Sequence, residues 1–230
     1  MSRTPNIFSP TTPDPNTPEG QALLEAREKF FGAIGKLIGT FAVLESALFA
    51  LLGTLSQVPK PIALALFADQ RVDGAMTAIR RVLAARQKLL GKTDFEVRAQ
   101  KLLDTVLSQI AAINKVRNHL IHHGTMGSEF DDPIASNWPR ARSEEQLTEI
   151  PVSPTALEQM LQDIGTGVVI IGYLTAAATT TIQASHLLPL AEKHLEEHPW
   201  QYKSPLQGGK KGNTQKTSQR RSHPPQSSEA

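Results

Sequence analysis

Apolar residues recur at three- and four-residue spacing through most of the chain between Thr17 and His198. This spacing places them on one side of an α-helix. Aromatic residues make up only 5% of the chain, so the core must be mainly aliphatic, as in packed helices. We therefore expect an all-α fold, an up-and-down bundle of four to five helices over residues 18–198.

The first helix is predicted from Thr17-Pro18-Glu19 to about Leu55. A hydroxyl at the N-cap, a proline in the first turn and a carboxylate near the positive end of the helix dipole all favour a start there. One apolar stripe is expected to contain Phe30, Phe31, Ile34, Leu37, Ile38, Phe41, Leu44, Leu48, Leu51 and Leu52. Glu45 lies beside this stripe, so it either faces solvent or is buried with a partner such as Arg117 or a histidine.

Further helices are predicted from the same spacing, and glycine and proline mark their ends. The expected ranges are Ile62 to about Phe67, Val72–Leu90, Phe95–His123, and Ser153 to Glu197 with bends near Gly165, Gly167 and Pro189. The third of the five predicted helices should turn Arg80, Arg81, Arg86 and Lys88 towards solvent. The long connection at 125–152 could hold a hairpin of Ala135–Arg142 and Gln146–Val152, since loops of this length are uncommon without structure.

Both ends of the chain read as disordered segments. Residues 1–17 are rich in proline, threonine and serine, and residues 199–230 are rich in glycine, serine, glutamine and lysine. Such compositions bury too little apolar surface to offset the entropy of ordering. The formal net charge is +2, but six cations from Trp200 onward face Glu229 alone. The tail is therefore basic, the remainder is mildly acidic, and any broad attraction to polyanions belongs to the tail.

Cysteine is absent, which excludes disulfides, thiolate metal sites and a cysteine nucleophile, and suits a reducing cytoplasm. The N-terminus has no charged start followed by an apolar run, as a signal peptide would. Residues 164–191 hold no aspartate, glutamate, lysine or arginine and are long enough to cross a bilayer. Because this stretch contains many threonines and ends its apolar run early, a buried helix explains it better. Membrane association is the weaker alternative.

Ionisable side chains concentrate in Arg117-Asn118-His119-Leu120-Ile121-His122-His123-Gly124, at the end of a predicted helix. An arginine beside a histidine suits phosphoryl transfer without a metal. A guanidinium binds two phosphate oxygens at once and stabilises charge on a pentavalent phosphorus. An imidazole can take a proton from a 2′-hydroxyl or give one to a leaving 5′-oxygen. Asn118 could orient either group.

Helix geometry separates the two main groups of this cluster. Asn118 and His122 are four residues apart and share a face, as do His119 and His123. Arg117 and His122 are five apart, which is about 140° around the axis. A frayed last turn could bring them together, or a two-fold related copy could supply the second group.

At these residues the chain resembles the HEPN superfamily, whose signature is an arginine, a polar residue and a histidine after four to six intervening residues. Arg117-Asn118 followed by His122 matches with four intervening residues, and His123 gives a second match with five. The resemblance implies a helical homodimer whose two motifs meet across the interface. It also implies metal-independent RNA cleavage in active members, often in toxin–antitoxin or phage-defence settings, where a cognate antitoxin protein is a further partner.

By that resemblance Arg117 stabilises the phosphate, Asn118 is its polar companion, and His122 or His123 transfers the proton. The implied enzyme is a cytoplasmic endoribonuclease that needs no cofactor or metal and leaves a 2′,3′-cyclic phosphate. Many members of the superfamily have lost cleavage, so the alternative is a non-catalytic RNA-binding or interaction module that dimerises through the first and fourth helices.

Other interpretations of the cluster stay open. Cations near a helix C-terminus are favoured by the dipole alone, by roughly 0.3–1 kcal/mol each. His119 and His123 have the spacing of a zinc pair, but no acidic residue lies between Asp104 and Glu129. Beyond the helix, Trp138, Arg140 and Arg142 could stack on and clamp single-stranded RNA, or simply pack the loop.

Overall fold

The computed structural model describes residues 14–67, 70–123, 125–126, 134–136, 142 and 149–205. Its helices are α1 (Pro18–Ser56), α2 (Lys60–Phe67), α3 (Val72–Leu90), α4 (Asp94–His123), α5 (Pro154–Ala177) and α6 (Thr181–Glu197). The predicted all-α fold is confirmed. Most of both tails, predicted to be disordered, lies outside the described residues.

Hydroxyl caps start the helices where the sequence predicts them. The Thr17 hydroxyl accepts a hydrogen bond from the backbone N–H of Gly20 at 3.0 Å, and the Ser153 hydroxyl accepts one from Ala156 at 3.1 Å. Each cap satisfies one of the free N–H groups of a first helical turn. The Asp14 carbonyl also accepts from the Thr17 N–H at 3.2 Å. Residues 14–17 thus form a turn before α1, a correction to the disorder predicted for 1–17.

The core is built around α1, which packs against α3 and α5, while α4 packs against α3, α5 and α6. Fully buried α1 side chains are Phe30, Leu37, Phe41, Leu44, Leu48, Leu51 and Leu52. Phe31 and Ile38, predicted on the same stripe, are 54% and 39% exposed. Each follows a buried residue by one position, about 100° around the helix, so the buried stripe is narrower than expected.

The predicted final helix is two helices. The chain leaves the helix after Ala177, and Thr180 is extended at φ −148° and ψ 152°. Its hydroxyl accepts from the Gln183 N–H at 3.1 Å and so caps α6. A single helix over 154–197 would be roughly 66 Å long at 1.5 Å per residue, longer than any other helix of the described fold. The break lets α6 fold back onto α5, and Pro189 lies inside α6.

The chain beyond α6 stays attached to the bundle. Tyr202 is 4% exposed, and Trp200 packs on the core. The buried Asp163 carboxylate of α5 accepts the backbone N–H groups of Gln201 at 2.8 Å and Tyr202 at 2.9 Å. Gln109 of α4 donates to the same carboxylate at 2.6 Å. The predicted end of the bundle at residue 198 is therefore wrong, since the described fold continues to Pro205.

Arg86 was predicted to face solvent but lies between helices. Its side chain is 14% exposed, and its Nη2 approaches the Glu96 Oε1 at 3.2 Å. Its Nη1 donates to the Leu55 carbonyl at 3.3 Å. The Thr93 hydroxyl also pairs with Glu96 at the start of α4. This buried pair links the ends of α1 and α3 to the start of α4.

A small antiparallel sheet follows α4. Its strands are β1 (Thr125–Met126), β2 (Ile134–Ser136) and β3 (Glu149–Pro151), with β2 in the middle. Ala135 pairs with Thr125 on one side and Ile150 on the other. The predicted hairpin partners overlap β2 and β3, whereas β1 was not predicted. Buried Ala135 and Ile150 join this sheet to the core.

Two helices, α1 and α5, are long and apolar enough to cross a membrane by length and composition. Half of the most apolar window of α5 is buried within the protein, as for a core helix. Only a third of the corresponding window of α1 is buried. Helix α1 therefore leaves more of its apolar window uncovered than α5 does. The sequence had pointed instead to residues 164–191, because they lack charged side chains.

Candidate active site at the end of helix α4

The predicted site residues occupy the last two turns of α4. Arg117 and Asn118 are half-buried and His122 is exposed, while the His123 side chain lies outside the described part of the structure. The apolar spacing of α4 determines this arrangement, because Val116 and Leu120 are buried in the core. Arg117 is therefore turned to a side of α4 from which its long side chain can reach α1.

Arg117 reaches from α4 to α1 and contacts two residues there. Its Nη2 lies 3.7 Å from the Glu45 Oε1, with the two side chains 23% and 33% exposed. Its Cζ lies 4.9 Å from the centre of the Phe41 ring, within the range of a cation–π contact. Glu45 and Phe41 are one helical turn apart, so both face the guanidinium. Of the alternatives left open for Glu45, the structure shows the pair with Arg117, and the carboxylate stays partly exposed.

Asn118 contributes the third contact of the guanidinium. The Arg117 Nη1 donates to the Asn118 Oδ1 at 3.3 Å. With Glu45 and Phe41, this contact restrains the guanidinium plane from three directions. The Arg117 Nε is buried and has no hydrogen-bond partner among the described residues. The guanidinium is thus held at both Nη atoms and over one face, while its buried Nε is left unpaired.

His122 lies on another side of α4. It is exposed, whereas Arg117 faces α1. The five-residue separation places them about 140° apart around the helix axis. Lys115, seven residues before His122, is also exposed and falls on the same side of the helix. One copy of the chain therefore presents a restrained guanidinium on one side of α4 and an imidazole with a nearby ammonium on another.

Sequence reasoning missed the contact of Phe41 with the guanidinium and the position of Lys115 on the same side of α4 as His122. Phe41 was placed in the core, and its burial is confirmed, but its ring also lies against the guanidinium. The available signal was its position one turn before Glu45 on the same helix. Lys115 was considered only as a cation near a helix end.

The structure bears only in part on the zinc alternative and on the loop residues that could clamp RNA. Among the described residues, no group of three histidine, aspartate or glutamate side chains could hold a metal ion. The zinc alternative also involves His123, whose side chain is not described. Of the loop residues proposed to clamp RNA, Trp138 and Arg140 lie outside the described residues, and Arg142 is exposed.

A second histidine pair lies away from the motif, on α6 and just after it. The rings of His194 and His198 stack with centroids 4.3 Å apart. They line a cleft of about 410 Å³ together with Asp163 and Glu197. Burial lowers the pKa of His194, and the nearby His198 adds to this effect. The Asp163 carboxylate already accepts three N–H groups, and through two of them it holds Gln201 and Tyr202 against the bundle.

No protein-family model, curated protein or solved structure matches the chain. The α4 residues themselves carry the chemistry from which a function can be inferred. These are Arg117 with its three contacts, Asn118, and the exposed His122.

Proposed function

We propose that this protein is a metal-independent endoribonuclease of the HEPN type that acts as a homodimer in the cytoplasm. The observation that carries the proposal is the Arg117 guanidinium, held by Glu45, Phe41 and Asn118 five residues before an exposed His122. A restrained guanidinium is suited to stabilising charge that develops on a phosphate, because little reorganisation is needed in the transition state.

The chemistry is an attack by the 2′-oxygen of RNA on its own 3′-phosphate. His122 removes the proton of the 2′-hydroxyl as the new P–O bond forms. The bond from phosphorus to the 5′-oxygen then breaks, and the leaving oxygen takes a proton from the partner's His122. Arg117 neutralises charge on the non-bridging oxygens. The products are a 2′,3′-cyclic phosphate and a 5′-hydroxyl, and no metal or cofactor takes part.

The homodimer follows from the separation of the two groups on α4. Within one copy Arg117 faces α1 and His122 faces solvent, about 140° away. A two-fold axis near α1 and the end of α4 would gather the Arg117 and His122 side chains of both copies around one shared site. A dimer is also the arrangement that the HEPN resemblance implies, and such a nuclease would need a cognate antitoxin or a defence trigger to restrain it.

The test is cleavage of a labelled single-stranded RNA in EDTA by wild type, Arg117→Ala, His122→Ala and His123→Ala. Matched controls are Arg81→Ala and His186→Ala, since both residues are exposed on other helices. We expect losses of about 10²-fold or more for Arg117→Ala and for the motif histidine, the usual size of acid–base effects. The controls should keep full activity. Equal rates in all variants would end the proposal.

The contact with Glu45 favours a second candidate, a non-catalytic RNA-binding or interaction module. A carboxylate at 3.7 Å partly neutralises the Arg117 charge and competes with a phosphate for it. In that case the wild type binds RNA, seen as a rise in fluorescence anisotropy, or binds only protein partners. It releases no cyclic phosphate, and Arg117→Ala changes binding alone.

A further inference from the structure

An open groove lies between the last three turns of α1 and the short helix α2. It has a volume of about 970 Å³, and most of its lining is apolar, including Phe49, Gly53, Ala63, Leu64 and Phe67. A concave, largely apolar space of this size is typical of a site for a small molecule. We call it the α1–α2 groove.

The hydroxyl groups along the α1 wall of this groove are bonded within their own helix. The Ser46 hydroxyl donates to the Ala42 carbonyl at 3.1 Å, and the Thr54 hydroxyl donates to the Ala50 carbonyl at 3.0 Å. Such bonds occupy the hydroxyl donor inside the helix. The α1 wall therefore offers a bound molecule mainly hydrocarbon surface.

Helix α2 forms the other wall and is left uncovered by the bundle. After Lys60 it has no charged residue, yet none of its eight residues is buried. Leu64, which lines the groove, is 57% exposed. A helix that is apolar on all sides is normally buried, and an isolated helix of this length is marginal in water. An apolar molecule in the groove would therefore cover surface that the bundle leaves exposed.

The α1–α2 groove is too narrow at its base for another helix. A Cβ added at Gly53 would lie 3.8 Å from the Ala63 Cβ, which is an ordinary van der Waals contact. The two helices therefore already touch at this point. An α-helix with its side chains is roughly 10 Å across, so it could lie only over the groove. A single hydrocarbon chain is much thinner and can enter.

The connection from α1 to α2 holds the groove in shape. Gln57 ends α1 in the left-handed conformation at φ 55°, and the rings of Pro59 and Pro61 fix φ in the next turn. The Pro59 carbonyl accepts from the backbone N–H groups of Ile62 at 2.9 Å and Ala63 at 3.0 Å. A ligand thus meets a preformed site, which lowers the entropy lost on binding.

Lys60, at the start of α2, is the one charged side chain among the described residues that line the groove. It is exposed, and no carboxylate in the described part of the chain forms an ion pair with it. Between Lys36 and Lys60 the only charged residue is Glu45, which is paired with Arg117. An anionic group at this end of the groove therefore meets a positive charge that no lining residue offsets.

We propose that the α1–α2 groove binds a free long-chain fatty acid, with its carboxylate at Lys60 and its hydrocarbon chain between Phe49 and Leu64. The carboxylate pairs with the ammonium group, and the chain covers apolar side chains of both walls. Burial of each methylene is favourable, so affinity should rise with chain length. Arg117 and His122 do not line this groove, so the inference does not depend on the proposed nuclease.

The first experiment titrates the full-length protein with dansyl-labelled undecanoic acid and follows the rise in dansyl fluorescence. Unlabelled dodecanoate should displace the probe, and decanoate should do so roughly tenfold less well, because two buried methylenes are lost. Dodecanol has the same chain without the charge and should also compete about tenfold less well. Absence of displacement, or equal competition by dodecanoate and dodecanol, overturns the proposal.

Two leucines of α2 provide a matched pair of variants. Leu64 and Leu66 are each 57% exposed, but only Leu64 of the two lines the groove. Leu64→Gln should weaken probe binding by about tenfold, and Leu66→Gln should leave it unchanged. Both variants should keep the helical spectrum of the wild type, since both side chains are exposed. Equal affinities in the two variants contradict the proposed site.

Two lysines test the position of the carboxylate. Lys60→Glu should abolish the preference for dodecanoate over dodecanol, whereas Lys36→Glu, at an exposed position earlier on α1, should retain it. Arg117→Ala should bind the probe as the wild type does, whether or not the wild type cleaves RNA. A preference that survives Lys60→Glu places the carboxylate elsewhere and overturns the proposal.

Other occupants of the groove give different results. A wild type that floats with phosphatidylglycerol vesicles but binds no soluble fatty acid assigns the surface to a membrane. A wild-type oligomer that Leu64→Gln dissociates, and that dodecanoate leaves intact, assigns it to another protein chain. Either result overturns the proposal.

Discussion

Glu45 of α1 and Arg117 of α4 place their charged groups 3.7 Å apart, and the Phe41 ring lies under the guanidinium. Both side chains remain partly exposed, at 33% and 23%. The pair is therefore too accessible to contribute much to stability, but it sets the direction of the guanidinium. Its main consequence is the orientation of Arg117 in the candidate active site.

Replacing Glu45 by Gln tests this positioning role. The change keeps the size of the side chain but removes the charge that attracts Arg117. We expect the free energy of unfolding to fall by less than about 1 kcal/mol, as for exposed pairs. If Arg117 acts on phosphate, kcat should fall by roughly tenfold while KM changes little, because a displaced guanidinium loses transition-state contacts. An equal loss in Glu45→Gln and the distant Glu158→Gln would contradict this role.

The buried pair of Arg86 and Glu96 should matter far more for stability than an exposed one. Their side chains are 14% and 2% exposed, so removing either leaves an uncompensated buried charge. Arg86→Ala should lower the free energy of unfolding by about 3–5 kcal/mol. The control is Arg80→Ala, whose partner Asp104 lies at 3.7 Å with both side chains exposed, and which should cost less than about 1 kcal/mol. Urea unfolding measures both, and similar losses would contradict the assignment.

Asp163 should hold the segment after α6 against the bundle. Replacing it by Ala leaves the N–H groups of Gln201 and Tyr202 without their acceptor. We expect a loss of about 2–4 kcal/mol, since several buried hydrogen bonds are lost together. Limited proteolysis should then cut near Gln201 much faster than in wild type. Glu158→Ala, an exposed acid on the same helix, is the control and should leave this cleavage slow.

The pair of Glu192 with Arg98 should stabilise the protein at neutral pH and lose this effect in acid. Its two carboxylate oxygens accept from the Arg98 Nε at 2.9 Å and Nη2 at 2.6 Å. These hydrogen bonds lower the pKa of Glu192 below its ordinary value of 4.5. A lowered pKa adds stability that is complete above about pH 4.5 and is lost as the pH falls through the lowered pKa.

The measurement is the free energy of unfolding of wild type and Glu192→Gln from pH 7 to pH 2. The two curves should be separated at neutral pH and converge in acid. Glu197→Gln, which removes an exposed pair with Lys193 at 3.5 Å, is the control and should show little separation at any pH. A constant gap for Glu192→Gln would contradict the linkage.

Local signals in the sequence were enough to locate most helices. Threonine and serine before proline gave the starts of α1 and α5, and Gly91 gave the end of α3. These signals act within a few residues, so they do not depend on the rest of the fold. The sheet was only partly predicted, because Thr125 and Met126 form too short a strand to carry a pattern.

Features that depend on distant partners were harder to predict. The break before α6 follows from the need to fold back on α5, although Thr179 and Thr180 gave a local hint. Arg86 and Tyr202 read as surface and tail residues because their partners, Glu96 and Asp163, belong to other elements. For the site, residue types gave Arg117 and His122, and only the contacts of the Arg117 side chain with Glu45 and Phe41 of α1 revealed which way Arg117 points.

The middle strand of the sheet has a consequence for how α4 and α5 are connected. Ala135 is hydrogen-bonded on both sides, so the chain returns to the end of α4 in a fixed register after each of two connections, 127–133 and 137–148. The register of the three strands therefore ties the end of α4 to the start of α5, whatever sequence joins one strand to the next.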